Sequence, residues 1–549
     1  MKKILRNIVI VLAFAGIWFY IFHPAINIHS AEFWLMFLCV AALALILHSF
    51  RTVTAYRIRK KNEPAKPNLF SRIDNFFSRM GKSLQNFGAA VLLIVVVLVI
   101  QAVVSGIYSP LFMAKKYANR IKVTNVDFSE IPAYSFNKTA IIDRDSSEIL
   151  GDKVMGQMTD LVSQFRVSDE YSQISYKEGT YRVTPLAYDS IIKYFRNRSE
   201  GIPGYIIVNT TTGETRLVRL TDKMHYVPSA MFNENFYRKL RFDHPFTIFG
   251  DPTFEIDEEG NPFYVCTTYT YQGYRSLRRV TGVIIFDPVT GSSEKYALGE
   301  IPSWVDRVYP EDLVEDELND YGAFQKGYWN SVFGQEGVIK TSRGYNYLSK
   351  DGDIWLYTGM TSVSSDDSNV GFMLVDLRTH EAQFISSSGA SEYAAMASAE
   401  GEVLNYGYTA TFPVLVNIND SPTYLLSLKD SAGLIKMYAL VDAQDYQQVY
   451  TIKADKNAET AIFELIRSAT GKTPEPTGET KKATVVLQDV RTVIMGGETY
   501  VYLKDGEDIY RIVLTEDNAS YLLYLSEGDT LELEYYDGEN EKIVTNVSR

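Results

Sequence analysis

An apolar run at Gly88–Tyr108, GAAVLLIVVVLVIQAVVSGIY, governs everything that follows it in the chain. About 20 apolar residues suffice to cross a bilayer core, so the run reads as a membrane span. Two shorter runs precede it. Ile8–Phe22 sits behind Lys2, Lys3 and Arg6, and no small-residue cleavage site follows it, which argues against a removed leader. Phe33–Phe50 is the second, with Trp18, Tyr20, Phe33 and Trp34 clustered at the intervening loop as interfacial aromatics do. Arg51, Arg57, Arg59, Lys60, Lys61, Lys66, Arg72, Arg79 and Lys82 fill the stretch before the third run. Short loops rich in Lys and Arg stay cytoplasmic. The expectation is three transmembrane helices, an amino terminus inside, and everything after Tyr108 on the outer face of a bacterial cell membrane.

Within the basic stretch, Leu69, Phe70, Ile73, Phe76, Phe77, Met80 and Leu84 recur at three- and four-residue spacing, with Arg72, Arg79 and Lys82 opposite. This is a basic amphipathic helix. Phe70, Ile73, Phe76, Phe77 and Met80 are candidate membrane-interface residues; the alternative is packing against the first two spans.

Charge sharpens the division. Up to Ser109 the chain carries twelve Lys/Arg against three Asp/Glu, so the remainder holds about −22 of the overall −13 balance. Such an acidic outer part is a poor nucleic-acid binder, because that contact rests on cations against phosphate. Cys39 and Cys266, the two cysteines, lie in unrelated segments and predict no disulfide.

Catalytic signatures are weak. His225, His244 and His380 follow the membrane part without metal-ligand spacing, and no G-x-S-x-G elbow occurs. The expectation is a protein that is not an enzyme and holds no cofactor. Asp366, Asp367 and Asn369, in the Ser364–Asn369 loop, read either as calcium ligands or as a solvated turn. Arg275, Arg278 and Arg279 form a basic cluster that faces an anionic partner or is a solvated hairpin tip. Trp304, beside Asp306, and Trp329 line a recognition surface or pack between repeats. Arg275, Arg278, Arg279 and Trp304 are the candidate partner-binding residues.

Local patterning predicts helices at Asp152–Phe165 and Pro185–Arg198. Beyond them the chain repeats. YIIVNTTTGETRLV, VIIFDPVTGSSEKY, FMLVDLRTHEAQF and YALVDAQDYQQVY each run as an apolar strand into Asn209, Asp287, Asp376 or Asp442, turn, and return. An Asx side chain closes such a turn on nearby backbone. Helical stretches at Ser229–Arg241, Glu311–Phe333 and Ser391–Ala399 precede three of the hairpins. The repeat spacing exceeds that of propeller blades, so the unit is read as a helix on a small antiparallel meander.

These hairpins, clearest at IIFDPVTG, resemble the PepSY domain, a cystatin-like unit of bacterial envelope proteins. Leu377–Glu381 and Ala443–Gln447 depart from that pattern. The resemblance implies a non-catalytic binding or inhibitory role, with protease regulation the usual suggestion. After a polar linker, Thr470–Lys482, the tail reads as three strands, a helix and two strands, the order of an OB-fold barrel. Its fourteen acidic against five basic residues favour a structural or protein-binding barrel.

The fold class expected is therefore α+β: three N-terminal transmembrane helices, a large outer domain of helix-plus-antiparallel-meander repeats, and a small C-terminal OB-like β-barrel. Its divisions are 1–110 (anchor), 111–228 (first outer α+β region), 229–469 (repeats), 470–482 (linker) and 483–549 (barrel). The function expected is a membrane-anchored envelope protein that touches membrane lipid and binds, scaffolds or regulates an envelope protein partner. An envelope hydrolase acting on wall or peptide substrates, or a transporter accessory subunit, are the alternatives.

Overall fold

The computed structural model describes residues 2–61, 88, 91–92, 94–131, 134–177, 179–363, 365–455, 458–471, 481–495, 498–506, 508–514, 516–537 and 542–548. The amphipathic stretch with Phe70, Ile73, Phe76, Phe77 and Met80 lies outside them, as does most of the predicted linker.

The expectation of three transmembrane helices is overturned. Among the described residues one helix is long and apolar enough to cross a membrane, α1 (Lys2–Phe22), over its Leu5–Phe22 portion. α2 (Ala31–Lys61) is apolar only over Ala31–Leu47, short of a span, before its Arg- and Lys-rich end. The third run counts as a second candidate span only together with the helix that follows it. α3 (Ile94–Ile107) stops before Ser109, and Pro110 opens α4 (Pro110–Ala118) at a 51° bend. Proline fits the first turn of a new helix and cannot continue the old one's hydrogen bonds. α1 and α2 form an antiparallel hairpin, with the Asn7 side-chain amide donating to the Leu47 carbonyl.

The chain divides into two compact units, Met1–Val126 with Ile142–Ala394, and Asp127–Ile141 with Ala395–Arg549. The first holds the N-terminal helices and three sheets, antiparallel but for one strand. After β1 (Val123–Val126) and α5 (Arg144–Gln157) come β2 (Phe165–Val167), β3 (Ser172–Tyr176), β4 (Gly179–Tyr188), α6 (Ile191–Asn197), β5 (Ile202–Asn209) and β6 (Thr215–Met224). Their sheet runs β2-β4-β5-β6, with β3 also on β4. α7 (Phe236–Asp243) precedes the meander β7 (Ile248–Ile256), β8 (Pro262–Gln272), β9 (Leu277–Phe286) and β10 (Ser293–Ala297). α8 (Glu311–Phe324) precedes β11 (Ile339–Thr341), β12 (Asn346–Lys350), β13 (Asp353–Ser362), β14 (Ser365–Asp376), β15 (Ala382–Ile385) and β16 (Gly389–Ala390), and β1 adds in parallel to β15. One core, from Met155 through Tyr194, Ile206 and Phe236 to Phe286, joins the first two sheets.

Two helix predictions are corrected. The helix expected at Asp152–Phe165 lies earlier, capped by the Asp143 carboxylate on Ser146 N–H, and ends at Gln157. Of Pro185–Arg198, only Ile191–Asn197 is helical; Pro185–Tyr188 complete β4. Proline disfavours helix in the residue before it, and the Ser190 hydroxyl caps the true start on Lys193 N–H.

The second unit carries a further meander after α9 (Glu392–Glu402), whose first turn belongs to the first unit. It comprises β17 (Thr409–Ala410), β18 (Val414–Ile418), β19 (Ser421–Lys429), β20 (Ile435–Asp442) and β21 (Val449–Lys453), with α10 (Ala458–Thr470) packed on it. The tail forms one six-stranded sheet from β22 (Lys481–Val486), β23 (Asp489–Met495), β24 (Glu498–Asp505), β25 (Asp508–Val513), α11 (Glu516–Leu522), β26 (Thr530–Asp537) and β27 (Lys542–Ser548). Its order is β22-β26-β27-β25-β24-β23, with β25 and β27 parallel. Val485, Val501, Leu503, Leu531 and Leu533 fill its centre.

The four hairpins share one turn chemistry. Asn209 Oδ1 accepts from the N–H groups of Thr211 and Thr212 (2.9 and 3.0 Å). Asp287 does so from Val289 and Thr290 (2.7 and 3.3 Å), Asp376 from Arg378 and Thr379 (2.7 and 3.1 Å), and Asp442 from Gln444 and Asp445 (2.8 and 2.9 Å). Four residues after the Asx, Gly213, Gly291 and His380 all take positive φ, 77°, 74° and 67°. Replacing Asp287 by alanine removes these acceptors and is expected to cost about 1–2 kcal/mol, as loss of a cap does. Asp287→Asn retains the Oδ1 acceptor and costs less. Thermal unfolding in detergent separates the two; equal midpoints would mean that the side chain does not hold the turn.

Candidate functional site

Charged groups converge where the loop before α8 crosses the first unit. Glu255 ends β7 fully buried, and Asp306 is 2 % exposed. Glu255 Oε2 accepts from Asp306 N–H (2.9 Å) and Oε1 from the Thr253 hydroxyl (2.9 Å). Asp306 Oδ2 accepts from Ser175 N–H (2.7 Å). These carboxylates thus satisfy backbone donors that the sheet ladders leave over. Burial pushes both acids above the ordinary carboxylate range; for Asp306 the neighbouring Glu255 charge adds to it.

Cations surround the pair. Arg378 makes a two-pronged contact with Asp353, Nε to Oδ1 (2.6 Å) and Nη2 to Oδ2 (2.5 Å). The Arg307 guanidinium donates to Glu311 and reaches the Tyr347 hydroxyl. Buried Arg182 donates to the Ile142 carbonyl and to Gln173 Oε1 (2.8 Å), and burial draws it down to about 10. Nearby, the His380 ring lies flat on Tyr309, centroids 4.1 Å apart, with Nε2 2.7 Å from Glu317 Oε2. The positive φ of His380, 67°, is that of the hairpin turn type it shares with Gly213 and Gly291.

A second buried acid stands apart. Burial, with the charges of Asp169 and Asp251, raises Glu170 to about 7. Its Oε2 and the Tyr264 hydroxyl are buried with no partner among the described residues. On the C-terminal sheet a groove of about 450 Å³ is lined by Asp489, Arg491, Val493, Tyr502, Lys504 and Ile509. Within it Arg491 and Asp489, two residues apart on β23, form an ion pair (2.7 Å).

The third feature joins the N-terminal helices to the globular part of their unit. Arg238 Nε donates to the Tyr20 carbonyl (3.0 Å) while its guanidinium covers the Tyr20 ring at 4.2 Å. Arg241 Nε donates to the His23 carbonyl (2.9 Å) and Nη1 to the Thr247 carbonyl (2.6 Å). Ile26 N–H meets the Pro245 carbonyl (2.8 Å), and the Asn27 amide meets that of Phe246 (3.1 Å). The α3 end contacts the β8–β9 tip through the Ser105 hydroxyl and the Tyr274 carbonyl (3.3 Å).

The residues singled out from sequence are not gathered into one site. Arg275 (φ 54°) is at the β8–β9 turn and exposed. Arg278 and Arg279 follow each other in β9 and so face opposite ways. Arg278 is engaged, with Asp312 at 2.7 Å and the Tyr269 ring at 5.1 Å. Trp304 stacks on Phe263 (5.0 Å) against Val265, Ile285 and Val308, a packing role. Asn369 is not a solvated loop residue. It is buried in β14, its amide donating to Glu392 Oε2 (3.1 Å). Asp366 and Asp367 have no described side chains. Among the described residues no group of His, Cys, Asp and Glu is arranged to hold a metal ion.

Sequence reasoning passed over Glu255, Glu170, Arg238 and Arg241. Nothing in their local pattern marks them, because their partners lie far along the chain.

No protein-family model and no curated protein matches the chain. Solved structures give faint likenesses. An endo-arabinase from Bacteroides thetaiotaomicron is 8% identical over 68% of this chain and 95% of its own, at a TM-score of 0.17. An exo-β-1,3-galactanase from Phanerochaete chrysosporium is 9% identical over 70% and 68%, at 0.16. An apocarotenoid oxygenase from Synechocystis is 12% identical over 53% and 50%, at 0.13. At these scores none transfers a fold or an activity to this chain.

Proposed function

We propose that this is a non-catalytic, membrane-anchored envelope protein that binds or regulates an envelope protein from the membrane surface. The observation that carries the reading is the bonding of the α1 end into the globular part through Arg238 and Arg241. A domain tied to its anchor by part-buried, directional bonds is held at a set height and tilt, as a scaffold requires. The acids Glu255 and Asp306 support a structural use of charge, since buried carboxylates bonded to backbone cannot reach a solute. The four Asx hairpins support kinship with PepSY-like units. The β22-β26-β27-β25-β24-β23 order supports an OB-like barrel, whose groove suits a protein segment.

Lys2, Lys3 and Arg6 before the α1 span favour an amino terminus inside and a globular part outside. A Glu259→Cys variant in a Cys39→Ala background tests this, because Cys266 is fully buried. A membrane-impermeant maleimide is expected to label Glu259→Cys in intact cells stripped of wall; labelling only after lysis would overturn the orientation. Turnover of a wall or peptide substrate by the purified full chain, abolished by one polar substitution, would overturn the non-catalytic role.

A further inference from the structure

We infer that the face of the first unit built from α6, the Phe232 turn and the Asp243–Thr247 segment lies on the lipid surface, its apolar side chains inserted beside α1. This rests on the reading of α1 as a membrane anchor and adds a second, peripheral contact. α6 is inverted for a soluble helix: Tyr194 is buried, while Ile191, Ile192 (77 % exposed) and Phe195 point outward. A surface helix normally turns such side chains to the core. Lys193 and Arg196 flank them, placed to reach lipid phosphates while their stems stay apolar.

The patch continues from there. Phe195 meets the ring of Phe232 (centroids 6.1 Å), itself half exposed. Phe232 holds φ at 53°, a conformation bulky residues avoid and that persists where surroundings or function enforce it. Next to it, Asn233 Oδ1 accepts from the Tyr20 hydroxyl (3.3 Å). The exposed Phe242 ring packs on Phe19 (5.2 Å), and exposed Phe246 follows at the segment bonded to Asn27. The patch therefore meets α1 at Phe19 and Tyr20, one or two residues before Ile21 and Phe22, both exposed. An exposed apolar area of this extent marks an interaction surface. Lipid is the occupant that this continuity specifies, because a bilayer reaching Phe22 also reaches the Phe242 ring packed on Phe19 and Tyr20 and the Phe246 segment bonded to Asn27.

The test uses the full chain in anionic liposomes, carrying Cys39→Ala and one nitroxide-labelled cysteine at a time. Leu12→Cys reports the anchor, Ile192→Cys and Phe246→Cys report the patch, and Glu259→Cys reports a turn at the other end of β8 from Tyr274. Eleven residues separate those ends, about 35 Å at the rise of a strand. Power-saturation EPR is expected to show oxygen access exceeding that of a water-soluble nickel reagent at Leu12, Ile192 and Phe246, with the reverse at Glu259. Lipid exposure at Leu12 but water exposure at both Ile192 and Phe246 would overturn the inference and leave the anchor standing. Water exposure at Leu12 would overturn the anchor reading. All the substituted patch positions are exposed, so folding is preserved.

Discussion

Ile285→Asp is expected to abolish the stable fold of the first unit, at a cost of more than about 4 kcal/mol. β9 is buried on both faces. Ile284 enters the large shared core, and Ile285 packs with Val265, Val283, Val305 and Val308 on the other side. An aspartate there pairs across the ladder with Val265 and Glu294, so no cation compensates it. An unpaired buried charge ranks among the few single changes with effects of this size. Ile285→Val removes one methylene and is expected to cost about 0.5–1.5 kcal/mol. Limited proteolysis and thermal unfolding of the full chain in detergent measure both. An aspartate variant as resistant as the valine variant would show that this face of β9 is wet.

The second large effect is on pH dependence. Glu255 and Asp306 have folded values raised by burial. A group raised on folding contributes its full stability below its unfolded value, near 4, and loses it as pH climbs through the folded value. The wild-type chain should therefore be more stable in mild acid than in mild base, its unfolding midpoint falling as pH climbs from 5 to 9. Asp353 adds to the repulsion at Asp306, while Arg378 opposes it, and Arg307 opposes the shift at Glu255. Asp306→Asn keeps an oxygen for Ser175 N–H without the charge, so its unfolding midpoint should fall less than the wild type's over that range and should exceed it at pH 9; the fall that remains comes from Glu255 and Glu170, which burial raises without Asp306. Asp306→Ala orphans Ser175 N–H and is expected to lose about 1–3 kcal/mol at every pH. A wild-type midpoint that rises from pH 5 to 9, in parallel with Asp306→Asn, would mean that the pair is ionised and neutralised by its arginines.

The hairpins at Asn209, Asp287, Asp376 and Asp442 were legible because an Asx turn is made within three residues of the side chain that closes it. In the tail, three strands were expected before the helix and four are present, because β22 and β23 part at Leu487–Gln488 without a Gly-bearing turn; the later strands were legible from alternation and turns written within each segment. Helix limits were less so. Val154, Met155 and Met158 have helical spacing, yet the helix ends at Gln157, since its extent follows the Asp143 cap and the packing of Met155. Pro185 to Tyr188 carry an apolar pattern that suits either element, and pairing with Tyr205 and Phe165 settled it as strand.

By itself the sequence determined the local pieces: an apolar amino-terminal helix, an acidic globular bulk, and four strands ending in Asx turns. Each depends on residues a few positions apart, where propensity and side-chain reach act directly. The number of candidate spans was misread from sequence although it too rests on local features, the break at Ser109–Pro110 and the point where α2 stops being apolar. Only the tertiary structure decided which acids share a dry site and which rings meet the α1 end. Glu255 with Asp306, Asp353 with Arg378, and Tyr20 with Arg238 are joined across long stretches of chain by the stacking of sheets and helices. Burial then shifts the charge balance of Glu255 and Asp306, and no pattern within a short window encodes it.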